Sequence, residues 1–258
     1  MRTSDLTLGA IWLVVAGFLR LAALGRFGLD PDAGLALAVG AAAKTGMITA
    51  AAITASLAAR RMVQRDWYLL ATGFWLFAGA QAYLGLSQFA SGEGLAFPTP
   101  ADFLFLAGYG FFMFALAGFL GQLSRAGLLI GFERRLPYVV AGVLGLGAIA
   151  GLLIFPYLKN LLLDLTTGLL LFYPLLDLAL MVPVILLCGA TWPFRGGAAW
   201  ITWSSLFAGF TTFLIGDLYF AVMLEQPAAW VGWVVDCAYL GSYCLFTRAT
   251  YRQWQLTR

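Results

Sequence analysis

Chemistry in this chain has few residues to draw on. Lys44 lies in "AVGAAAKTGMITAAAITAS", Asp177 in "LLFYPLLDLALMVP" and Asp217 in "IGDLYF", three stretches that are otherwise apolar or small. Charges in such surroundings cost enough to need a partner or a purpose. The simplest expectation is an ion pair between Lys44 and Asp177 or Asp217, serving as a structural lock or as part of a ligand site. A retinal Schiff base on Lys44 is a further option, read by visible absorbance. Tyr173 precedes Asp177 by one helical turn and shares its face, with Pro174 between them unable to donate a backbone bond. Tyr219 follows Asp217 by two residues, as Tyr83 follows Gln81 in "GAQAYLG".

Other chemistries are missing their residue types. The chain has no histidine, which removes imidazole-ligated haem, histidine-zinc sites and histidine proton relays together. Cys188, Cys237 and Cys244 all fall in apolar stretches, where a thiol behaves as a small hydrophobe. No glycine-rich phosphate loop, catalytic carboxylate pair or nucleophile with its base is evident. The expectation is a protein without enzymatic activity, metal or cofactor.

The elements that must hold these residues are membrane helices. Of 258 residues, 62% are hydrophobic and 10% charged, with a mean hydropathy of +0.89, outside the usual range of soluble domains. Spans of roughly 20 residues fit eight times: Leu6 to Leu24, Gly34 to Ala59, Trp67 to Phe89, Pro100 to Gln122, Leu136 to Phe155, Leu165 to Ala190, Ala198 to Leu224 and about Ala228 to Thr247. The connections leave no room for a soluble catalytic module. With the amino terminus cytoplasmic, eleven arginines fall on that side, against Arg20, Arg26 and Lys159 on the other. The positive-inside rule then places both termini in the cytoplasm, and the expected location is an inner, cytoplasmic membrane. The net charge of +3 reflects this asymmetry and gives no reason to expect nucleic acid.

The two halves resemble each other. A shift of 136 residues puts Trp67 on Trp203, Leu70 on Leu206, Gly73 on Gly209, Phe74 on Phe210, Phe77 on Phe213 and Tyr83 on Tyr219. A shift of 134 then puts Asp102 on Asp236, Leu106 on Leu240, Tyr109 on Tyr243 and Phe112 on Phe246. The expected architecture is an all-α integral membrane protein of eight helices in two parallel four-helix repeats, residues 1–125 and 126–258, with any ligand site between them. Gln81 against Asp217, and Lys44 against Asp177, mark where the copies differ.

Local signals add detail. Thr99-Pro100-Ala101-Asp102 has capping-box spacing, with proline at the first helical position. The matching Asp236 predicts that the last helix begins near Gly232, with "PAAWV" as an outer loop or interfacial turn. Asp30-Pro31-Asp32 reads as another cap, and "GLLIGFERRLP" as an interfacial segment. Trp192, Trp230 and Trp254 read as interfacial anchors.

"PTPADFLFLAGY", "YPLLDLAL" and "GDLYFAVMLEQP" leading to "VDCAYLGSY" together resemble the multi-helix membrane regions preceding GGDEF and EAL domains in bacterial diguanylate cyclases and phosphodiesterases. The resemblance covers most of residues 67–247 and implies a sensory or anchoring input. The chain departs from that pattern after "FTRATYRQWQLTR", where no catalytic domain follows, so cyclic-dinucleotide chemistry is not carried over.

The sequence therefore predicts a sensory-input membrane protein that binds a small or lipid-like ligand, or a membrane or signalling partner, between its halves. Lys44, Gln81, Tyr173, Asp177, Asp217 and Tyr219 would line the interior, with Asp102, Tyr109, Asp236 and Tyr243 at the outer entrance. The alternative is a structural or accessory subunit of a larger membrane complex. A transporter of parallel repeats would need a longer polar path than these residues supply.

Overall fold

The computed structural model describes residues 3–23, 34–91, 97–127, 165–225 and 229–257, with five further positions between 141 and 151. Among them are seven α-helices and no strand: α1 (Thr3–Ala23), α2 (Gly34–Met62), α3 (Arg65–Ser91), α4 (Ala101–Arg125), α5 (Leu165–Thr191), α6 (Ala198–Glu225) and α7 (Ala229–Leu256). A short 3-10 turn, Trp192–Phe194, links α5 to α6.

The expected count of eight is thus corrected to seven among the described residues. The predicted span from Leu136 to Phe155 lies outside them, apart from isolated helical positions, as do Asp30-Pro31-Asp32 and nearly all of "GLLIGFERRLP". Among the described residues, five helices are long and apolar enough to cross a membrane: Ala38–Met62, Arg65–Ala90, Ala101–Arg125, Gly168–Phe194 and Ala198–Met223. The last helix also differs from expectation. It begins at Ala229 rather than near Gly232 and runs on to Leu256, because Arg248 and Arg252 bond to Asp5 on α1 instead of ending the helix in water.

Helix α2 has the small-residue face that its sequence promised. Ala51, Ala52, Ala55, Ala58 and Ala59 are all buried, and they let α2 lie close to α3 and α7. In a bilayer, helices associate through such close packing and through cross-helix hydrogen bonds. Thr54 Oγ1 meets Thr250 Oγ1 at 2.6 Å, and Thr247 Oγ1 donates to the Met47 carbonyl at 2.7 Å.

These bonds, with Lys44 to Asp236 near one end and Arg61 Nη1 to the Thr257 carbonyl near the other, show that α2 and α7 run parallel. Helices α4 and α5 are also parallel, linked from Tyr173 to Asp102 and from Tyr109 to Asp177. Helix α1 lies antiparallel on α7, with Trp12 Nε1 bonded to the Cys237 carbonyl and Trp233 Nε1 to that of Ala16.

The interior is an aromatic cluster in which residues matched between the halves make matching contacts. Phe74 meets Phe112 at 4.9 Å between ring centroids, and Phe210 meets Phe246 at 4.8 Å. Across the halves, Phe74 meets Phe246 at 5.3 Å and Phe210 meets Phe112 at 5.8 Å. Phe77 packs on its own counterpart Phe213 at 5.6 Å, and Trp67 on Trp203 at 6.3 Å. The glycines explain how the rings fit. A Cβ at Gly73 would collide with the Phe112 ring, and one at Gly209 with the Phe246 ring. Large hydrophobics such as Phe89, Phe103 and Phe114 instead face outward.

Candidate functional site

Gln81, Asp102, Tyr109, Tyr173, Asp177, Asp217 and Tyr243 gather toward one end of the bundle, where α3 and α6 finish and α4, α5 and α7 begin. Helix α4 starts there with a modified form of the expected cap. Asp102 Oδ2 accepts from the Thr99 amide at 2.6 Å and from Thr99 Oγ1 at 3.0 Å, while the Asp102 amide donates to the Thr99 carbonyl at 3.0 Å. Thr99 Oγ1 is thereby a donor to the acid rather than an acceptor from the helix, so only the reach-back half of the box forms. The other oxygen of Asp102 accepts from the Tyr173 hydroxyl at 2.6 Å.

One to two turns deeper, Tyr109 donates to Asp177 Oδ1 at 2.6 Å and Tyr239 donates to Asp217 Oδ1 at 2.7 Å. Gln81 Nε2 donates to the Tyr243 hydroxyl oxygen at 2.8 Å. The Asp177 and Asp217 carboxyls face each other. Their remaining oxygens, Asp177 Oδ2 and Asp217 Oδ2, are buried and take no hydrogen bond from an N–H or hydroxyl among the described residues.

Beside this network lies a cavity of about 160 Å³. Helix α3 contributes Gln81, Leu84 and Gln88, α4 contributes Asp102, Phe105 and Tyr109, α5 contributes Leu170 and Tyr173, α6 contributes Phe213, Asp217 and Phe220, and α7 contributes Tyr239. Phe97 and Thr99, just before α4, complete the wall. Pro174 has no N–H to give the carbonyl of Leu170, itself a lining residue.

The expected residues fall into three groups. Gln81, Asp102, Tyr109, Tyr173 and Asp217 line the cavity, with Asp177 fully buried behind Tyr109 and Tyr243 fully buried behind Gln81. Tyr109 and Tyr243 are therefore interior residues, not entrance residues, because each hydroxyl has a polar partner inside the bundle.

Lys44 and Asp236 form a second, separate site. Their 2.6 Å ion pair replaces the expected pairing of Lys44 with Asp177 or Asp217. The parallel docking of α2 on α7 brings Asp236 to the lysine, whereas Asp177 and Asp217 are held by tyrosines of α4 and α7. Lys44 is not among the residues lining the cavity.

Tyr219 departs from expectation altogether. It is 37% exposed and packs edge-on against Trp230, because two residues along a helix turn it away from the face of Asp217. Cys188, Cys237 and Cys244 are free thiols, and Cys244 Sγ contacts Met47 Sδ at 3.4 Å.

Sequence inspection missed Tyr239, whose hydroxyl holds Asp217. A signal was present. Where the first half has Gln81 and Phe105, the second has Asp217 and Tyr239, so the acid and its hydroxyl donor occur in the same copy. Also missed was Asp5, which takes hydrogen bonds from Arg248 Nε at 3.0 Å and Arg252 Nη2 at 2.6 Å at the opposite end of the bundle. Burial by itself would raise the Asp5 carboxyl, but the hydrogen bonds and charges of the two arginines outweigh it and hold it below the ordinary carboxylate range.

No group of three or more potential metal-ligating side chains occurs among the described residues. Comparison with protein-family models, curated proteins and solved structures finds no match.

Proposed function

We propose that this chain is a multi-pass membrane protein that acts without enzymatic activity, binding a small or lipid-like ligand between two related four-helix halves as a sensory input. The observation that carries this reading is the cavity of about 160 Å³, whose wall is built from both halves. Apolar cavities of about 150 Å³ accept a benzene-sized molecule, so this volume suits a compact ligand or the end of a longer one. A ligand there would touch α3, α4, α5, α6 and α7 at once and could bias their packing, as an input element must.

The test is gentle purification followed by mass spectrometry of extracted small molecules. A compound present in stoichiometric amount in the wild type, and lost in Leu84→Trp, supports the reading. Equal recovery from both proteins, or none from either, removes it.

An accessory-subunit role draws on a different observation, the outward-facing Phe89, Phe103 and Phe114 on α3 and α4. Those rings suit lipid as well as a neighbouring subunit. A stoichiometric assembly with larger proteins on native purification would favour this second reading.

A further inference from the structure

The donors and acceptors around the cavity are unevenly matched. Each tyrosine lining the cavity already commits its hydroxyl as a donor: Tyr109 to Asp177, Tyr173 to Asp102 and Tyr239 to Asp217. The Gln81 amide is likewise committed to Tyr243. Among the described residues, the buried polar atom of the wall left without a hydrogen bond is an acceptor, Asp217 Oδ2, on a lining residue only 8% exposed.

The charges are equally one-sided. Asp102 and Asp217 line the cavity, Asp177 stands directly behind, and no lysine or arginine is in the wall among the described residues. Asp102 is partly compensated by the α4 amino terminus and its Thr99 bonds, but Asp177 and Asp217 have only neutral hydroxyl partners. Lys44, the charged residue of α2 expected to neutralise them, is held by Asp236. Seven of the fourteen lining residues are aromatic, and the faces of such rings attract cations.

We infer that the ligand of this cavity is a small organic cation, a protonated amine on a compact apolar or aromatic body, with its ammonium bonded to Asp217 and its body against Phe105, Phe213 and Phe220. The inference rests on the ligand-binding reading above and adds the chemical class. A metal ion is the poorer fit, since two carboxylates already bonded to tyrosines leave too few oxygens for a dedicated cation cage. The cavity is also far larger than a bare ion needs.

Benzylammonium and benzyl alcohol have nearly the same shape and differ in charge, so they separate the two readings. Binding to the intact protein in detergent or nanodiscs, followed by calorimetry, should favour benzylammonium by tenfold or more. Asp217→Asn should abolish that preference while leaving benzyl alcohol binding within about threefold. Asp217→Glu should restore part of it, and Leu84→Trp should weaken both probes.

Equal affinity for the two probes in the wild type, or a preference that survives Asp217→Asn or Leu84→Trp, overturns the inference while a ligand cavity stands. Should neither probe bind while extraction recovers another molecule, the inference likewise falls and the ligand-binding reading remains. No probe bound and no molecule recovered would overturn both. If Asp217→Asn does not fold, the wild-type preference and its response to Leu84→Trp decide the matter.

Discussion

Gln81 on α3 donates from Nε2 to the Tyr243 hydroxyl oxygen on α7 at 2.8 Å, with both side chains buried. The bond ties together two helices from opposite halves of the chain, beside the cavity. Asp217, which occupies the position of Gln81 in the second half, instead accepts from Tyr239 on the same α7.

Removing the tyrosine oxygen alone leaves the Gln81 amide without this acceptor. Tyr243→Phe should therefore destabilise the fold by roughly 1 kcal/mol, between the average of about 0.6 and the maximum of about 1.7 kcal/mol for hydrogen bonds between membrane helices. Adding Gln81→Leu should recover part of the loss. A double-mutant cycle read by denaturant-induced unfolding checks this, and a coupling energy near zero would deny the bond an energetic role.

Gly73→Ala and Gly209→Ala should carry similar penalties, on the order of 1–3 kcal/mol as for other overpacked cores, since each methyl meets a phenylalanine ring at an equivalent place. Trimming the opposing ring, Phe112→Leu for the first and Phe246→Leu for the second, should rescue each variant in thermal unfolding. Free tolerance of one alanine but not the other would show that the two halves pack differently.

The Lys44 and Asp236 side chains are 17% and 32% exposed, so their pair lies between the surface and fully buried cases. Lys44→Met should cost more than the roughly 1 kcal/mol of an exposed pair and less than the roughly 3–5 kcal/mol of a deeply buried one. Combining it with Asp236→Leu should return most of the stability, because the cost is chiefly the orphaned charge. Melting temperatures of the three variants decide the point.

Asp5 predicts a pH response. Its carboxyl is held below the ordinary range by Arg248 and Arg252 despite partial burial, so it binds fewer protons folded than unfolded at acid pH. Its contribution is then full above the unfolded value near about 3.9 and lost as pH falls through the folded value. The difference in unfolding free energy between wild type and Asp5→Asn should stay flat from neutral pH down to about 5 and shrink below about 4. A difference that grows on acidification would reverse the sign and rule out this origin.

The residues that organise the interior were legible because they are expensive or scarce. Acids and amides in apolar helices stand out by composition, and the cavity network uses nearly all of those singled out. The glycine and phenylalanine matches between the halves were legible as spacing, and they recur as equivalent ring contacts.

Partner choice was not legible. Pairing Lys44 with Asp177 or Asp217 assumed that charges at similar depth find each other, whereas the parallel docking of α2 on α7 gives the lysine to Asp236. Tyr239 escaped notice because a tyrosine opposite a phenylalanine reads as conservative until the acid it serves is known. The Asp5 contacts escaped because residues 243 and 247 positions apart leave no local pattern.

That sequence separation has a consequence for biogenesis. Asp5 precedes the arginines that receive it by 243 and 247 positions, so it is synthesised long before they are. Until then α1 has neither its ion pairs nor the two tryptophan bonds to α7, since Trp12 waits for Cys237 and Ala16 for Trp233. During translation α1 therefore has only its packing on α2 to hold it, and the arrival of α7 is the step that supplies its ion pairs and hydrogen bonds.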